Sequence, residues 1–130
     1  GHKGALAASE DALKAKQSEL KQLEVETGSK QEQIAKLRGQ QLELKTNKEF
    51  KAMENEIATI EAGITSVEDR ELLIMEEIEK ARQGVEESRK ELEAEDAEVQ
   101  EDIKALEERL ADLKSELDDE AAAAAAEVKK

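Results

Sequence analysis

Residues 42–57, LELKTNKEFKAMENEI, decide the fold of this chain. Within this stretch Thr46 precedes Glu49 by three positions, which is the spacing of a capping box at the start of a helix. Asn47 is itself a favourable helix cap. Apolar residues recur at three- and four-residue steps both before and after the stretch. It therefore predicts a tight turn between two helices, at about residues 45–48.

Both flanks of this turn show the spacing of a heptad repeat, in which two positions of every seven form an apolar seam. Before the turn the predicted seam comprises Leu20, Leu23, Ile34, Leu37 and Leu44. After the turn it comprises Met53, Ile57, Ile60, Ile64, Val67, Ile74 and Ile78. Folding the chain at the turn places Leu37 opposite Ile57 and Leu20 opposite Ile74. Because the two seams match, the pattern predicts an antiparallel coiled-coil hairpin.

Polar residues interrupt both seams. In the predicted pairing Lys30 faces the Ile64 layer, and Leu23 faces Glu71. Such mismatches weaken the seam, although a long lysine side chain can reach water from its edge. Gly28 lies inside the first helix, where glycine costs roughly 1 kcal/mol relative to alanine. We therefore expect only moderate stability for the first helix and a kink near Gly28.

The composition suits long helices and opposes a rounded core. Charged residues make up 42% of the chain and aromatic residues 1%, and proline and cysteine are absent. Ala, Glu, Lys, Leu and Gln dominate, and all are good helix formers. We predict an all-α fold, a long antiparallel coiled-coil helical hairpin whose second helix is longer than its first. One alternative is a single unbroken helix in a parallel dimer. The other is a disordered chain, and the regular apolar spacing disfavours disorder.

The predicted boundaries follow from the seams and the turn. Residues 1–4 are a tag remnant or disordered start, because Gly-His is typical of a cleaved purification tag. Residues 5–126 form the hairpin, with helix one at about 5–44, the turn at about 45–48 and helix two at about 48–126. Residues 127–130 form a tail. Helix one ends opposite about residue 85, so a later leucine stripe must pair with another chain or with residues preceding this segment.

Acidic residues are concentrated in the second part of the chain. Residues 1–49 contain 9 Lys and Arg against 8 Asp and Glu, whereas residues 50–130 contain 11 against 26. This charge repels phosphate groups, so binding of nucleic acid through this segment is disfavoured. No apolar run approaches the roughly 20 residues that a membrane-spanning helix needs. We expect protein partners, including self-association, no membrane insertion and a cytoplasmic location.

The sequence offers little for catalysis. Paired carboxylates such as Glu76 and Glu77 could exchange protons, but a two-stranded coil lacks the enclosed pocket that shifts pKa values. We predict a non-enzymatic protein with no cofactor or metal site in this chain. The candidate partner-contact surface is the turn, Lys45, Thr46, Asn47, Lys48, Glu49 and Phe50. For Phe50 we favour the alternative that it and Met53 fill the first hairpin layers against Leu44 and Gln41.

The turn and the segment that follows resemble a known bacterial family. Its turn motif is matched by Thr46, Asn47, Lys48, Glu49, Phe50 and Ala52, and a second motif by residues 67–77, VEDRELLIMEE. The chain is similar here to proteins that join a coiled-coil hairpin to a carboxy-terminal C4-type zinc ribbon. The resemblance covers residues 23–79. It implies a longer first helix and a zinc-binding ribbon after the second, and neither is found in these 130 residues.

Three functions remain open from the sequence. The first is a non-enzymatic coiled-coil adaptor or scaffold that mediates protein–protein interaction, and the resemblance implies partners in the transcription machinery or in flagellar or type III export. The second is a structural spacer that associates with itself. The third is the coiled-coil arm of a zinc-ribbon nucleic-acid-binding protein, whose nucleic-acid contacts would lie outside this segment.

Overall fold

The computed structural model describes residues 1–128, which contain two helices and no strand. Helix α1 spans His2–Gln41 and helix α2 spans Asn47–Val128. Polar contacts between α1 and α2 join residues as far apart in the chain as Ser9 and Ser88. The predicted all-α antiparallel hairpin with a longer second helix is confirmed. The chain divides into two units, residues 1–88 and residues 89–130, which are described separately below.

The turn is built from backbone hydrogen bonds and one side-chain cap. Past the end of α1, the Glu43 amide donates to the Gln40 carbonyl (3.0 Å) and the Leu44 amide to the Gln41 carbonyl (3.2 Å). Thr46 then caps α2, because its Oγ1 accepts a hydrogen bond from the Glu49 amide (3.2 Å). None of the described residues has a positive φ, so the turn forms without glycine. The capping spacing read from the sequence is the one the structure uses.

The helix boundaries differ from the predicted ones by a few residues. Helix α1 begins at His2 instead of residue 5, since the Ala5 amide already donates to the Gly1 carbonyl (3.1 Å). It ends at Gln41 instead of residue 44, and the turn lengthens accordingly. Helix α2 continues to Val128, past the predicted start of the tail, and residues 129–130 of that tail lie outside the described residues.

Helix α1 is continuous through Gly28, where a kink was expected. Nothing within 4 Å would meet a side chain at this position, so the glycine is not needed for close packing. Glycine lowers helix stability by roughly 1 kcal/mol relative to alanine. Packing of α1 along α2 accounts for the continuous helix, and the kink near Gly28 stays a prediction.

The core of residues 1–88 is a single narrow line of apolar side chains. Its buried members are Leu23, Ile57, Ile64, Val67, Ile74, Ile78 and Val85. Leu13 and Leu20 are partly buried against the cluster around Leu23. Burying an aliphatic side chain of this size contributes about 1.5–3 kcal/mol. The line of contacts therefore stabilises both helices along their shared length.

The predicted seam residues fall into two groups by burial. The buried group comprises Leu23, Ile57, Ile64, Val67, Ile74 and Ile78. Half-buried are Leu20, Ile34, Leu37, Leu44, Met53 and Ile60. None of the predicted seam positions is fully exposed, because each faces the opposite helix at the spacing that a heptad imposes.

Residues 89–128 form a helical segment without a core of its own. Leu92 is half-buried and every later residue of the segment is exposed. The exposed apolar side chains include Val99, Ile103, Leu106, Leu110, Leu113 and Leu117. Within residues 1–128, neither helix contains a stretch long and apolar enough to cross a lipid bilayer.

Candidate functional site at the hairpin turn

The turn presents the candidate contact residues to solvent. Lys45, Thr46, Asn47, Lys48, Glu49 and Phe50 are all exposed. Lys51 follows them and is exposed as well, so three lysines stand close together on a chain whose formal net charge is −14. The turn therefore combines local positive charge with the chain's single aromatic ring.

Phe50 does not fill the first hairpin layer. Its side chain is 45% exposed, whereas the preferred interpretation placed it against Leu44 inside the seam. The nearest buried side chain to the turn on α1 is instead Gln41, which is 5% exposed. Gln41 occupies the end of the seam, while nearly half of Phe50 is left at the surface. The interpretation of Phe50 as a core residue is wrong.

Gln41 ties the base of the turn together through hydrogen bonds. Its Nε2 donates to Oε2 of Glu54 (2.7 Å) and to the backbone carbonyl of Phe50 (3.4 Å). A hydrogen bond to a carboxylate is stronger than one between neutral groups. These bonds hold the first turn of α2 against the last turn of α1, and they position Phe50 through its backbone.

Arg38 adds ion pairs one turn before Gln41. Its guanidinium lies 3.5 Å from a carboxylate oxygen of Glu54 and 3.4 Å from one of Glu61. All three side chains are about half exposed, so each pair contributes about 0–1 kcal/mol. The main effect of these ion pairs is to position two residues of α2, Glu54 and Glu61, opposite one residue of α1.

Farther from the turn, a polar residue of the α1 seam contacts a polar residue of the α2 seam. Thr27 Oγ1 donates a hydrogen bond to Oε1 of Glu71 (2.9 Å). The sequence pairing sets Glu71 in the layer of Leu23, and Leu23 is buried beside Val67, Ile74 and Ile78, the seam residues nearest to Glu71 on α2. The polar positions of the two seams therefore satisfy one another, and a shift of register would separate them.

Two lysines of α1 reach across the seam by different routes. The side chain of Lys30 lies 3.8 Å from the place where a Cβ on Gly63 would stand, so that glycine leaves room for it. Lys16 Nζ lies 2.7 Å from Oε2 of Glu77 and 3.6 Å from Oε2 of Glu19. The hydrogen bond with Glu77 raises the pKa of the Lys16 ammonium above its ordinary value of 10.5.

One set of exposed apolar residues was not assigned a role from the sequence. Leu72, Leu73 and Met75 surround the buried Ile74, and all three are exposed. The signal was present in the run LLIM, residues 72–75. Only one of these four residues, Ile74, occupies a seam position, and the other three lie outside the seam. They form a second apolar surface on the hairpin, away from the turn in sequence.

The zinc site that the family resemblance implies has no ligands here. The chain contains no cysteine. Within residues 1–128, no group of three His, Cys, Asp or Glu side chains is placed to hold a metal ion. The resemblance implies that zinc ligands would lie in a ribbon following the second helix.

Comparison of the chain with protein-family models, with curated proteins and with solved structures found no match. The interpretation of the turn therefore rests on its geometry: exposed lysines, a Phe50 side chain that is 45% exposed, and the hydrogen bonds by which Gln41 joins the two helices.

Proposed function

We propose that the chain is a non-enzymatic coiled-coil adaptor that binds a protein partner through the hairpin turn. The observation that carries this proposal is the 45% exposure of Phe50 at the turn. Aromatic residues, phenylalanine included, are enriched in the cores of protein–protein interfaces. Because Gln41 donates a hydrogen bond to the Phe50 carbonyl, the backbone that carries the ring is already ordered before binding.

The charge at the turn supports an acidic surface on the partner. Lys45, Lys48 and Lys51 outnumber the acidic residues of the turn, Glu43 and Glu49. Complementary charge accelerates association and selects the partner more than it adds affinity. The resemblance to the zinc-ribbon family supports partners from the transcription machinery or from flagellar or type III export.

The test compares capture of proteins from a lysate of the source organism by the immobilised full chain and by variants. Phe50→Ala and Lys48→Glu alter the turn, while Val25→Ala alters an exposed apolar residue of α1 away from it. We expect a captured protein that is lost with both turn variants and kept with Val25→Ala. With that partner purified, titration calorimetry should show at least about tenfold weaker binding for Phe50→Ala.

Two results would contradict the proposal. One is the absence of any captured protein whose binding depends on Phe50 or Lys48. The other is a partner that is lost with Leu72→Ala but kept with Phe50→Ala, because the exposed Leu72 surface would then be the contact. Circular dichroism of each variant checks that the hairpin is still folded.

A second candidate function is that of a structural spacer that associates with itself. The exposed stripe that includes Ile103, Leu106 and Leu110 favours it, since solvent exposure of a regular apolar stripe is unfavourable. This candidate differs from the first in the region that it uses, residues 89–128 instead of the turn.

A further inference from the structure

The apolar stripe of residues 89–128 has the pattern of an interaction surface. Its members, here called the distal seam, are Val99, Ile103, Leu106, Leu110, Leu113 and Leu117, and all are exposed. They follow one another in steps of four and three residues without a polar interruption. Such spacing is the signature of a helix that packs against another helix.

The distal seam is complementary to itself when two copies run in opposite directions. Ile103 of one copy then faces Leu113 of the second, and Leu106 faces Leu110. The end layers pair Val99 with Leu117, so every layer is apolar on both sides. Asp96 and Glu120 would form the next layer at each end, where their like charges terminate the seam and oppose a longer overlap.

The hairpin shows how flanking charges pair when helices of this chain run antiparallel. In heptad notation Arg38 and Glu61 both occupy position e, just after a seam residue, and they form an ion pair. Glu19 and Arg70 both occupy position g, just before a seam residue, and they also form an ion pair. Antiparallel pairing therefore joins e to e and g to g.

The same stagger applied to two distal seams joins residues of opposite charge. At position e, Glu107 of one copy meets Lys114 of the second, and at position g, Asp102 meets Arg109. Each of these pairs occurs twice because the arrangement is symmetric. Like charges meet in the outermost g pair, Glu95 with Glu116, at the ends of the seam. They also meet once each at the centre, where the stagger of Arg38 and Glu54 sets Glu107 against its own copy and the equivalent g stagger sets Arg109 against its own copy.

A parallel dimer would place like charges together instead. Parallel coiled coils join position g of one helix to position e of the next heptad of its partner. That rule sets Asp102 against Glu107 and Arg109 against Lys114, and each of these repulsive pairs occurs twice. Charge therefore selects the antiparallel orientation.

We propose that two copies of this chain associate through the distal seam as an antiparallel helix pair. The occupant of the exposed stripe is the same stripe of a second copy. The interface buries the apolar side chains that residues 89–128 leave in water, and its orientation is selected by the e and g pairs. This association rests on the second candidate function, self-association through residues 89–128. It does not involve the turn, so its failure would leave the adaptor function untouched.

The first test is the solution mass of the full chain across concentrations, measured by sedimentation equilibrium. We expect twice the monomer mass of 14.4 kDa at micromolar concentration. The double variant Leu106→Asp, Leu110→Asp should weaken dimerisation by more than about 100-fold, because it places charges in the central layers. Ala105→Asp, on the exposed side of the same helix, should leave the affinity within about threefold of the parent.

The second test uses the absence of cysteine in the chain. A mixture of Ile103→Cys and Leu113→Cys chains should form the mixed disulfide on mild oxidation, while Glu108→Cys, on the outward face, should cross-link poorly. A predominance of Ile103→Cys homodisulfides would show a parallel pair and overturn the proposal. A chain that stays monomeric, or a dimer that persists in the double aspartate variant, would overturn it as well.

Discussion

The two parts of this chain share a helix-forming composition and a heptad apolar pattern, but they differ greatly in burial. Residues 1–88 and residues 89–128 are both rich in helix-forming residues, and both have a heptad apolar pattern. Ile57 in the hairpin is fully buried, whereas Leu106 in the later segment is 59% exposed. The comparison shows that a heptad indicates the need for a partner helix, while burial depends on whether the chain brings one within reach.

Polar residues sharpen the same contrast. In the hairpin, Thr27 and Glu71 face each other and Gln41 faces Glu54, so the interruptions of the seam are satisfied across it. In the distal seam, every seam position from Val99 to Leu117 is apolar. A seam with matched polar positions specifies one register, whereas an uninterrupted one relies on its ends and flanking charges.

The largest expected effect comes from charging the buried seam of the hairpin. Ile57→Asp should destabilise the hairpin by at least about 3 kcal/mol, because it buries an unpaired carboxylate and removes a fully buried side chain. Ile103→Asp, the same change in the exposed segment, should leave the hairpin's unfolding midpoint unchanged. Urea unfolding followed by circular dichroism, at a concentration below that of self-association, checks both. Equal losses in the two variants would break the comparison.

Removing the buried amide at the base of the turn should have the next largest effect. Gln41→Ala should cost about 2 kcal/mol, because it deletes a hydrogen bond to a carboxylate at the only buried polar side chain found in residues 1–128. Gln100→Ala, at an exposed position of the later segment, should be neutral or slightly stabilising because alanine favours helix. The free energy of unfolding of each variant is the measurement. A neutral Gln41→Ala would mean that the turn does not depend on this contact.

The polar layer in the middle of the hairpin should show a measurable coupling energy. A double-mutant cycle of Thr27→Val and Glu71→Gln should give about 1 kcal/mol, since the two side chains share a 2.9 Å hydrogen bond. The matched cycle of Thr59→Val with Glu71→Gln should give a value near zero, because these residues lie several turns apart on one helix. Equal coupling in the two cycles would argue against the observed register.

Loss of the helix cap should have a smaller effect. Thr46→Ala should cost about 1 kcal/mol, because its Oγ1 no longer accepts the hydrogen bond from the Glu49 amide. Thr59→Ala, within α2, should be neutral or stabilising, since its hydroxyl only donates to the Asn55 carbonyl of the preceding turn. Thermal unfolding of the two variants under identical conditions provides the comparison. A stabilising Thr46→Ala would contradict the assigned start of α2.

The smallest expected effect is a dependence on alkaline pH. Because the folded-state pKa of Lys16 is raised above 10.5, its bond with Glu77 stabilises the hairpin below that pH and is lost as pH rises through the raised value. The stability difference between the parent and Lys16→Met should therefore shrink above pH 10.5. Lys104→Met, in the exposed segment, should show no such trend in hairpin stability. Unfolding measured at a series of pH values tests both.

Much of the architecture could be read from the sequence because its signals are local. Thr46 and Glu49 have the spacing that α2 uses for its cap, and the three- and four-residue steps identify the buried side of each helix. The details of the turn could not be read in this way. The sequence placed Gln41 and Phe50 together in the first hairpin layers, yet only Gln41 is buried. Helix α1 ends at Gln41, three residues earlier than predicted, and no periodic pattern specifies that end.

The sequence by itself determined that this chain is helical, that it reverses near Thr46 and that its seams are complementary. Those properties follow from intrinsic helix propensity, capping and apolar spacing, which act over a few residues. Only the tertiary structure decided that Thr27 meets Glu71, that Gln41 bonds to Glu54 and that Phe50 is left partly at the surface. These contacts join residues distant in the chain, and their side-chain geometry depends on the exact approach of two helices.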